Sequence, residues 1–298
     1  MSPDPLANAE AAARLAASAR RSWLFVPGDR SDRFAKAEMS GADVAIVDLE
    51  DGVSGPNKAS ARQQVAQWLA TPRPDGGAIR AVRVNALDTD DYVADVDALR
   101  DAPRPDVIVV PKAESAEDMV TVLTSWWTVD GHNVRLLAGI ETVRGVLAAG
   151  EILAVEGVDY CYFGAEDYMA DLGGVRSEGG IEVLTPKSLV AMHAHVSGVW
   201  ALDSIVTRIN DLDLVERDAV LGKSLGFKGK ICIHPSHAGP INTVFSSGGG
   251  FSAGAGLEWA RKVVAAADEK GSGAFSLDGQ MIDAPLIAQA RRILGSAG

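Results

Sequence analysis

Eight short apolar runs in this sequence are each followed, within a few residues, by ionisable or other polar side chains. Asp29 and Arg30 follow the first; Asp48, Glu50 and Asp51 end the second; Arg83 and Asn85 the third; Lys112 and Glu114 the fourth. The fifth ends in Glu141, the sixth in Glu166 and Asp167, the seventh in Asp203 and the eighth in His234. A single charge after a strand is an ordinary solvated group. Gathered at one rim, so many carboxylates raise one another's pKa and cost stability unless a cation sits among them. An all-oxygen ligand set favours a hard divalent ion, magnesium or alternatively manganese, and no cysteine–histidine spacing of a zinc site is present. Glu141 and Asp167 stand out because each closes an apolar run, in LLAGIE and YFGAED. The small residues before them, Gly139, Gly164 and Ala165, are read as room for a ligand to approach the backbone. Arg83, in AVRVNA, is suited to grip a planar anion in two places. A substrate carboxylate is one partner for it, and an ion pair with a rim acid is the other.

These residues need elements that bring the run ends together. Periodicity predicts strands over 23–26, 44–49, 81–84, 107–110, 135–140, 160–163, 199–202 and 230–233. It predicts helices over 31–39, 60–69, 116–126, 142–154 and 186–195 between them. The strands are almost continuously apolar, as when helices cover both faces of a parallel sheet. Eight βα units point to a TIM (β/α)8 barrel spanning 21–245, with its chemistry at the C-terminal ends of the strands. Residues 1–20 read as a loose tail or a short surface helix. A Gly/Ser-rich hinge, Ser246 to Gly256, opens a C-terminal helical arm over 246–298: a helix at 257–270, turns through GSGAFSLDG and a last helix at 284–294. The alternative is a surface loop and a packed eighth helix.

The 298 residues carry 40 acidic and 28 basic side chains, a formal net charge of -12, with no dense basic tract. That argues against a nucleic-acid backbone as partner. No apolar stretch reaches the roughly 20 residues that cross a bilayer, and no signal peptide is legible, so a cytoplasmic protein is expected. Cys161 and Cys232 sit in apolar runs and read as buried thiols. His193 and His195 fall in a helical stretch as surface or packing residues, while His132 and His237 read as loop positions. His234 is either a site residue or a backbone-bonded rim histidine.

Taken together, RSWLFVPGDRSDRFAKA, GADVAIVDLEDGV followed by Lys58 and Arg62, VRVNALDT, VIVVPKAES, LLAGIETVRGVL and YFGAEDYMADLG resemble the citrate lyase β-subunit-like proteins of the HpcH/HpaI aldolase group, relatives of malyl-CoA and citramalyl-CoA lyases. LGFKGKICIHPSHAGPIN and GQMIDAPLIAQARRIL extend the likeness over Arg21 to Leu294. The resemblance implies a TIM barrel, usually trimeric, acting with magnesium on a 3-hydroxyacyl thioester of coenzyme A. It implies Glu141 and Asp167 as metal ligands, Arg83 on the oxo-acid carboxylate, and Glu50 and Asp51 as an acidic pair near the metal. Ala165 and Glu166 join Arg83, Glu50 and Asp51 on the substrate. Asp283, in QMIDAP, implies a catalytic aspartate carried on the arm to a neighbouring subunit. Arg21, Arg30, Arg33 and Lys36 are the nearest cations for the phosphates of coenzyme A. The segment with Arg208 and Asn210, and the loop with Trp126, Trp127 and His132, depart from the family pattern. The other readings are a citrate lyase β subunit acting on an acyl-carrier protein, a malate synthase-like condensing enzyme, a catalytically silent barrel that binds metal and dicarboxylates, and an aldolase using free pyruvate.

Overall fold

The computed structural model describes residues 20–126, 134–177, 179–246, 253–270 and 273–295. The N-terminal tail before Arg20, Trp127, His132 and positions 247–252 of the Gly/Ser-rich stretch lie outside the described residues. The chain divides after Asn242 into two compact units.

The first unit is a closed parallel barrel of β1 (Ser22–Pro27), β2 (Val44–Asp48), β3 (Ile79–Arg83), β4 (Val107–Val110), β5 (Arg135–Ile140), β6 (Val158–Phe163), β7 (Trp200–Asp203) and β8 (Gly229–Cys232), in sequence order. β1 bonds to both β2 and β8, so no strand edge is left open. Runs such as VIVV in β4 are buried throughout, because the interior covers one face and helices the other. The helices of this unit are α1 (Phe34–Glu38), α2 (Lys58–Ala70), α3 (Asp90–Leu99), α4 (Ala116–Ser125), α5 (Val143–Ile152), α6 (Ala165–Leu172), α7 (Ile181–Ser197) and α8 (Leu212–Ser224), and the division after Asn242 falls within α9 (Ala238–Phe245). Local chemistry starts several of them. Thr89 caps α3, Thr142 caps α5, and Ser115 with Asp118 forms a reciprocal capping box on α4.

The eight strands and the five barrel helices expected from periodicity are present, with ends shifted by up to five residues. The stretch 31–39 divides into a 3₁₀ turn at Ser31–Arg33 and the short α1. α7 begins five residues before Pro186, so that proline lies inside the helix instead of opening it. α3, α8 and α9 fall in gaps for which periodicity gives no helix range, as does α6, which carries Glu166 and Asp167. His237 is buried in a 3₁₀ turn, its Nε2 2.9 Å from the Ile209 carbonyl, instead of lying on a loop. Both cysteines are buried and free, and burial pushes the Cys232 thiol up to about 12. None of the described helices is long and apolar enough to cross a membrane.

The register of the strands decides which charges face the interior. Trp23, Val44, Ile46, Ala81, Val107, Val109, Leu137, Tyr160, Tyr162, Leu202 and Ile231 form the packed interior. Side chains alternate along a strand. Asp48 therefore continues the inward set of β2, Arg83 that of β3, and Gly139 and Glu141 that of β5. Asp203 follows inward-facing Leu202 and so faces the helix layer. The expectation that strand seven adds an acid to the mouth is corrected on that ground. Asp203 is fully buried, with Lys187 Nζ at 2.8 Å and Lys230 Nζ at 3.1 Å, and Gly222 of α8 leaves room for its carboxylate. Burial alone would raise the Asp203 pKa, but the two ammonium groups hold it below the usual carboxylate value.

The second unit holds α10 (Ala253–Lys270), α11 (Ala284–Gly295) and an antiparallel pair, β9 (Phe275–Leu277) and β10 (Gln280–Ile282). Its core contains Ala260, Val263, Ala267, Ile282, Ile287 and Ala290. The turns expected through GSGAFSLDG are in fact this hairpin. Asp278 and Gly279 both take positive φ, 51° and 82°, which fits the primed two-residue turn that Asp-Gly favours between strands.

Replacing Asp203 with Ala leaves the buried Lys187 ammonium without its carboxylate partner and Lys230 with Asp218 alone. The expected cost is about 3–5 kcal/mol in denaturant unfolding; a loss below about 1 kcal/mol would contradict the pairing described above.

Candidate active site

At the C-terminal mouth of the barrel, opposite charges are interleaved. Arg83 Nε and Nη2 donate to the two oxygens of Asp48 at 2.7 Å each, and Nη1 lies 2.9 Å from Glu50 Oε2. The guanidinium also stacks over Phe25, 4.6 Å from the ring centroid. Of the five N–H donors of an arginine, this leaves at least one on each terminal nitrogen. The alternative of an internal ion pair for Arg83 is therefore what the structure displays, and the remaining N–H groups of the fork are suited to a planar anion. Burial would lower the Arg83 pKa, but Asp48 and Glu50 raise it well above its ordinary value, so the charge is permanent.

Glu50 is 4% exposed, and burial raises its pKa against the opposing pull of Arg83 and Lys112. Its Oε1 accepts from Lys112 Nζ, while Oε2 is buried with no aligned hydrogen bond. Asp51 is exposed at the rim, 3.4 Å from the same ammonium. Lys112 itself has a positive φ of 47°, rare for a residue with a side chain. That conformation aims its backbone N–H at Glu141 Oε1, 2.8 Å away, while its side chain reaches Glu50. One residue thus binds three of the mouth's carboxylates, Glu50, Asp51 and Glu141.

Glu141 is the most deeply buried of the mouth's acids, 1% exposed. Tyr162 donates its hydroxyl to Glu141 Oε2 at 2.6 Å. Burial, followed by the charges of Glu50 and Asp167 against the pull of Arg83, raises Glu141 to about 7. Two glycines make this packing possible. A Cβ on Gly139 would lie 2.6 Å from the Tyr162 hydroxyl, and one on Gly164 would lie 2.5 Å from Glu141 Cβ. This corrects the reading of these small residues as ligand space, because the volume they release is filled by Tyr162 and Glu141. Ala165 is buried at the first turn of α6. Glu166, beside it, is exposed and 3.1 Å from Arg176. Asp167 is half-buried and close enough to Glu141 to raise its pKa.

A divalent ion fits this donor set. It would supply the positive charge that Glu141 replaces with a proton near neutrality, and the donors are oxygens. Among the described residues, no three His, Cys, Asp or Glu side chains form a group able to hold an ion by themselves. Two carboxylates completed by water and substrate oxygens are the usual share for magnesium.

The remaining expected residues divide. Arg30 and Arg33 follow β1 at the mouth and are exposed, Arg30 paired with Asp32 at 2.9 Å; Lys36 is exposed on α1. Arg21 precedes β1 and pairs with Asp43 at the opposite end of the barrel, on the order of 20 Å away along a six-residue strand. Its assignment to coenzyme A at the mouth is corrected accordingly. His234 is exposed, its Nδ1 2.7 Å from Ser236 Oγ. Asp283 caps α11 in the second unit, its Oδ1 accepting from Leu286 N–H at 3.3 Å. Sequence reasoning missed Tyr162, whose hydroxyl lies in an inward position of an apolar strand. Period-two counting from Tyr160 would have found it. It assigned no individual role to Asp48, which closes β2, or to Lys112, two residues beyond β4.

A family model described as HpcH/HpaI aldolase/citrate lyase matches residues 21–235. A citrate lyase subunit beta-like protein of Deinococcus radiodurans is 40% identical over 282 residues, covering 92% of this chain and 96% of that protein. A (3S)-malyl-CoA thioesterase of Cereibacter sphaeroides is 30% identical over 280 residues, covering 93% and 94%. Among solved structures, CitE from Mycobacterium tuberculosis in complex with magnesium, acetoacetate and coenzyme A superposes with a TM-score of 0.80 at 34% identity, covering 94% of this chain and 99% of that one.

The raised Glu141 has a consequence for stability. Its folded pKa, about 7, lies above the model-peptide value of 4.5. Between those values the folded state binds the extra proton, so its contribution to stability falls as pH rises from 4.5 to 7. In metal-free buffer, wild type should lose roughly 2–3 kcal/mol relative to Glu141→Gln between pH 5 and pH 8. Parallel denaturation curves for the two proteins across that range would refute it.

Proposed function

Because the chain belongs to the HpcH/HpaI aldolase/citrate lyase family, it is an oxo-acid lyase, and we propose that it breaks or forms the carbon–carbon bond of a 3-hydroxyacyl-CoA thioester of malyl, citramalyl or citryl type. The products of cleavage are an oxo-acid and an acyl thioester. The observation that carries this reading is the mouth cluster. Arg83 presents unpaired N–H groups for a carboxylate beside a buried acid that holds a proton where a cation belongs.

Glu141 and Asp167 hold magnesium, or manganese, in this scheme. The chemistry a bound ion supplies is Lewis-acid polarisation, which lowers the pKa of the substrate's 3-hydroxyl and steadies the developing enolate. Arg83 orients the oxo-acid carboxylate through its terminal N–H pair. The first turn of α6, at Ala165 and Glu166, adds backbone N–H groups at the positive end of a helix. Glu50 and Asp51 border the substrate, and Lys112 keeps Glu50 from repelling it. Asp283, brought by the arm of a neighbouring copy in a homotrimer, protonates the enolate carbon in cleavage or removes the methyl proton in synthesis. Arg30, Arg33 and Lys36 supply positive charge for the phosphates of coenzyme A. A cytoplasmic setting fits two cysteines that remain free and buried.

The name of the Deinococcus relative favours one alternative, a citrate lyase β subunit acting on a citryl group carried by an acyl-carrier protein. The Cereibacter relative favours another, hydrolysis of the thioester after condensation.

A magnesium-dependent assay of acetyl-CoA or propionyl-CoA against glyoxylate, pyruvate and oxaloacetate, following thioester loss and condensed product separately, distinguishes these readings. Turnover is expected with one pair. Asp283→Asn should lower kcat at least 100-fold, the scale of a lost acid–base group, while oxo-acid binding changes by less than about threefold, as for a group that acts on the proton and not on the carboxylate. Turnover only with citryl-acyl-carrier protein would move the reaction to the complex, and unchanged kcat in the variant would remove Asp283 from it.

A further inference from the structure

The loop that carries Glu50 is pinned from two sides. From inside the barrel, Asp48 accepts the Glu50 N–H at 2.9 Å and the Gly52 N–H at 2.8 Å. A Cβ on Gly52 would stand 2.3 Å from that carboxylate, so the loop closes tightly around it. From the other side comes Lys58, the first residue of α2. Its Nζ donates to the Leu49 carbonyl at 2.9 Å, to the Glu50 carbonyl at 3.2 Å and to Asn85 Oδ1.

Asn85 lies two residues beyond Arg83 and is itself fixed. Its N–H and Nδ2 both donate to Asp95 Oδ2, at 2.8 Å each. Asp95 is fully buried on α3, and its other oxygen accepts from Arg62 Nε at 2.7 Å. Arg62 and Lys58 are four residues apart on α2 and so project from one face of that helix. A continuous chain of hydrogen bonds thus runs from Arg62 through Asp95, Asn85 and Lys58 to the backbone of Glu50. Both ends of the gap between Glu50 and Arg83 are tied to it.

We infer that Lys58 is a positioning residue for the reaction at the mouth: it sets the separation between the Glu50 carboxylate and the Arg83 guanidinium, and thereby aims the N–H groups of Arg83 that receive the oxo-acid. The inference rests on the proposed lyase reading. Its physical basis is that three carbonyl-type acceptors from two different strand ends converge on one ammonium. An ammonium has three protons and no acceptor, so Lys58 is saturated by these contacts and has none left for substrate. Glu50 Oε2 is already within 2.9 Å of Arg83 without an aligned hydrogen bond. A loop released by Lys58 would let this acid turn into alignment and compete with the oxo-acid for the guanidinium.

The test uses the full chain with Lys58 replaced by Met, which keeps the stem and removes the three donors. Hydrogen exchange of amides 49–53 should accelerate at least tenfold, and kcat/KM for the oxo-acid should fall about 100-fold, the scale of a displacement near 1 Å, with most of the loss in KM. The melting temperature should drop by only a few degrees. Lys58→Ala is the second variant and serves if Met does not fold. Propylammonium, but not propanol, should restore its kcat/KM at least tenfold, a response that general loosening of the fold would not give. Exchange at 49–53 equal to wild type overturns the inference, as does unchanged kcat/KM in a variant of active wild type. If wild type turns over no substrate, the proposed function fails by itself, and exchange at 49–53 still decides whether Lys58 holds the loop.

Discussion

The mouth of this barrel is organised by the need to bury a carboxylate among other carboxylates. Glu141 cannot ionise there without help. It is dehydrated, and Glu50 and Asp167 repel its charge. The chain responds with a tyrosine hydroxyl on one oxygen, a backbone N–H on the other, and two permanent cations close by. Each response constrains something else. The tyrosine needs Gly139, the carboxylate needs Gly164, and the backbone N–H needs Lys112 in a conformation most residues avoid. Such a site is poised to gain from a cation, which would displace to solvent the proton that Glu141 holds near neutrality and offset the repulsion from Glu50 and Asp167.

Two layers of charge should be distinguished. The inner layer, Asp48, Arg83, Glu50, Lys112 and Glu141, faces the mouth, where a ligand can enter. The outer layer, Asp203 with Lys187 and Lys230, faces the helices and is closed. Both are buried and hydrogen-bonded, yet only the inner one has an unaligned acceptor and spare arginine donors. The outer cluster locks α7 and β8 to β7 and needs no ligand to be satisfied. Burial alone therefore does not separate a functional charge cluster from a structural one; the incomplete pairing does.

The strands and the run-end residues were legible because a parallel barrel imposes continuous apolar runs with polar groups directly after them. Ends of helices were less so. Pro186 is a start signal in many helices and an interior residue here, and the short α6 has too few residues to display a period. Register was the larger gap. Asp203 and Asp48 look alike at the ends of their strands, but they face opposite ways, and only the alternation traced from Leu202 and Ile46 tells them apart. Arg21 shows the same limitation along the other axis. It is near Arg30 in sequence, yet a strand lies between them and puts the two at opposite ends of the barrel.

The glycine reading failed for a reason that applies beyond this chain. Reading a glycine beside a ligand site as space assumes that the space stays empty until a ligand arrives. Protein interiors are close-packed, so volume released by a missing Cβ is taken by the nearest side chain able to use it. At Gly139 that side chain is Tyr162, and at Gly164 it is Glu141. The glycines therefore act on the ligand at one remove, by allowing two polar side chains to sit deep enough to face each other. The same logic explains Gly52, whose missing side chain lets the Asp48 carboxylate accept two loop N–H groups while it grips Arg83. At three places in one mouth, the absence of a side chain lets a polar group reach a hydrogen-bonded, buried position that it could not otherwise occupy.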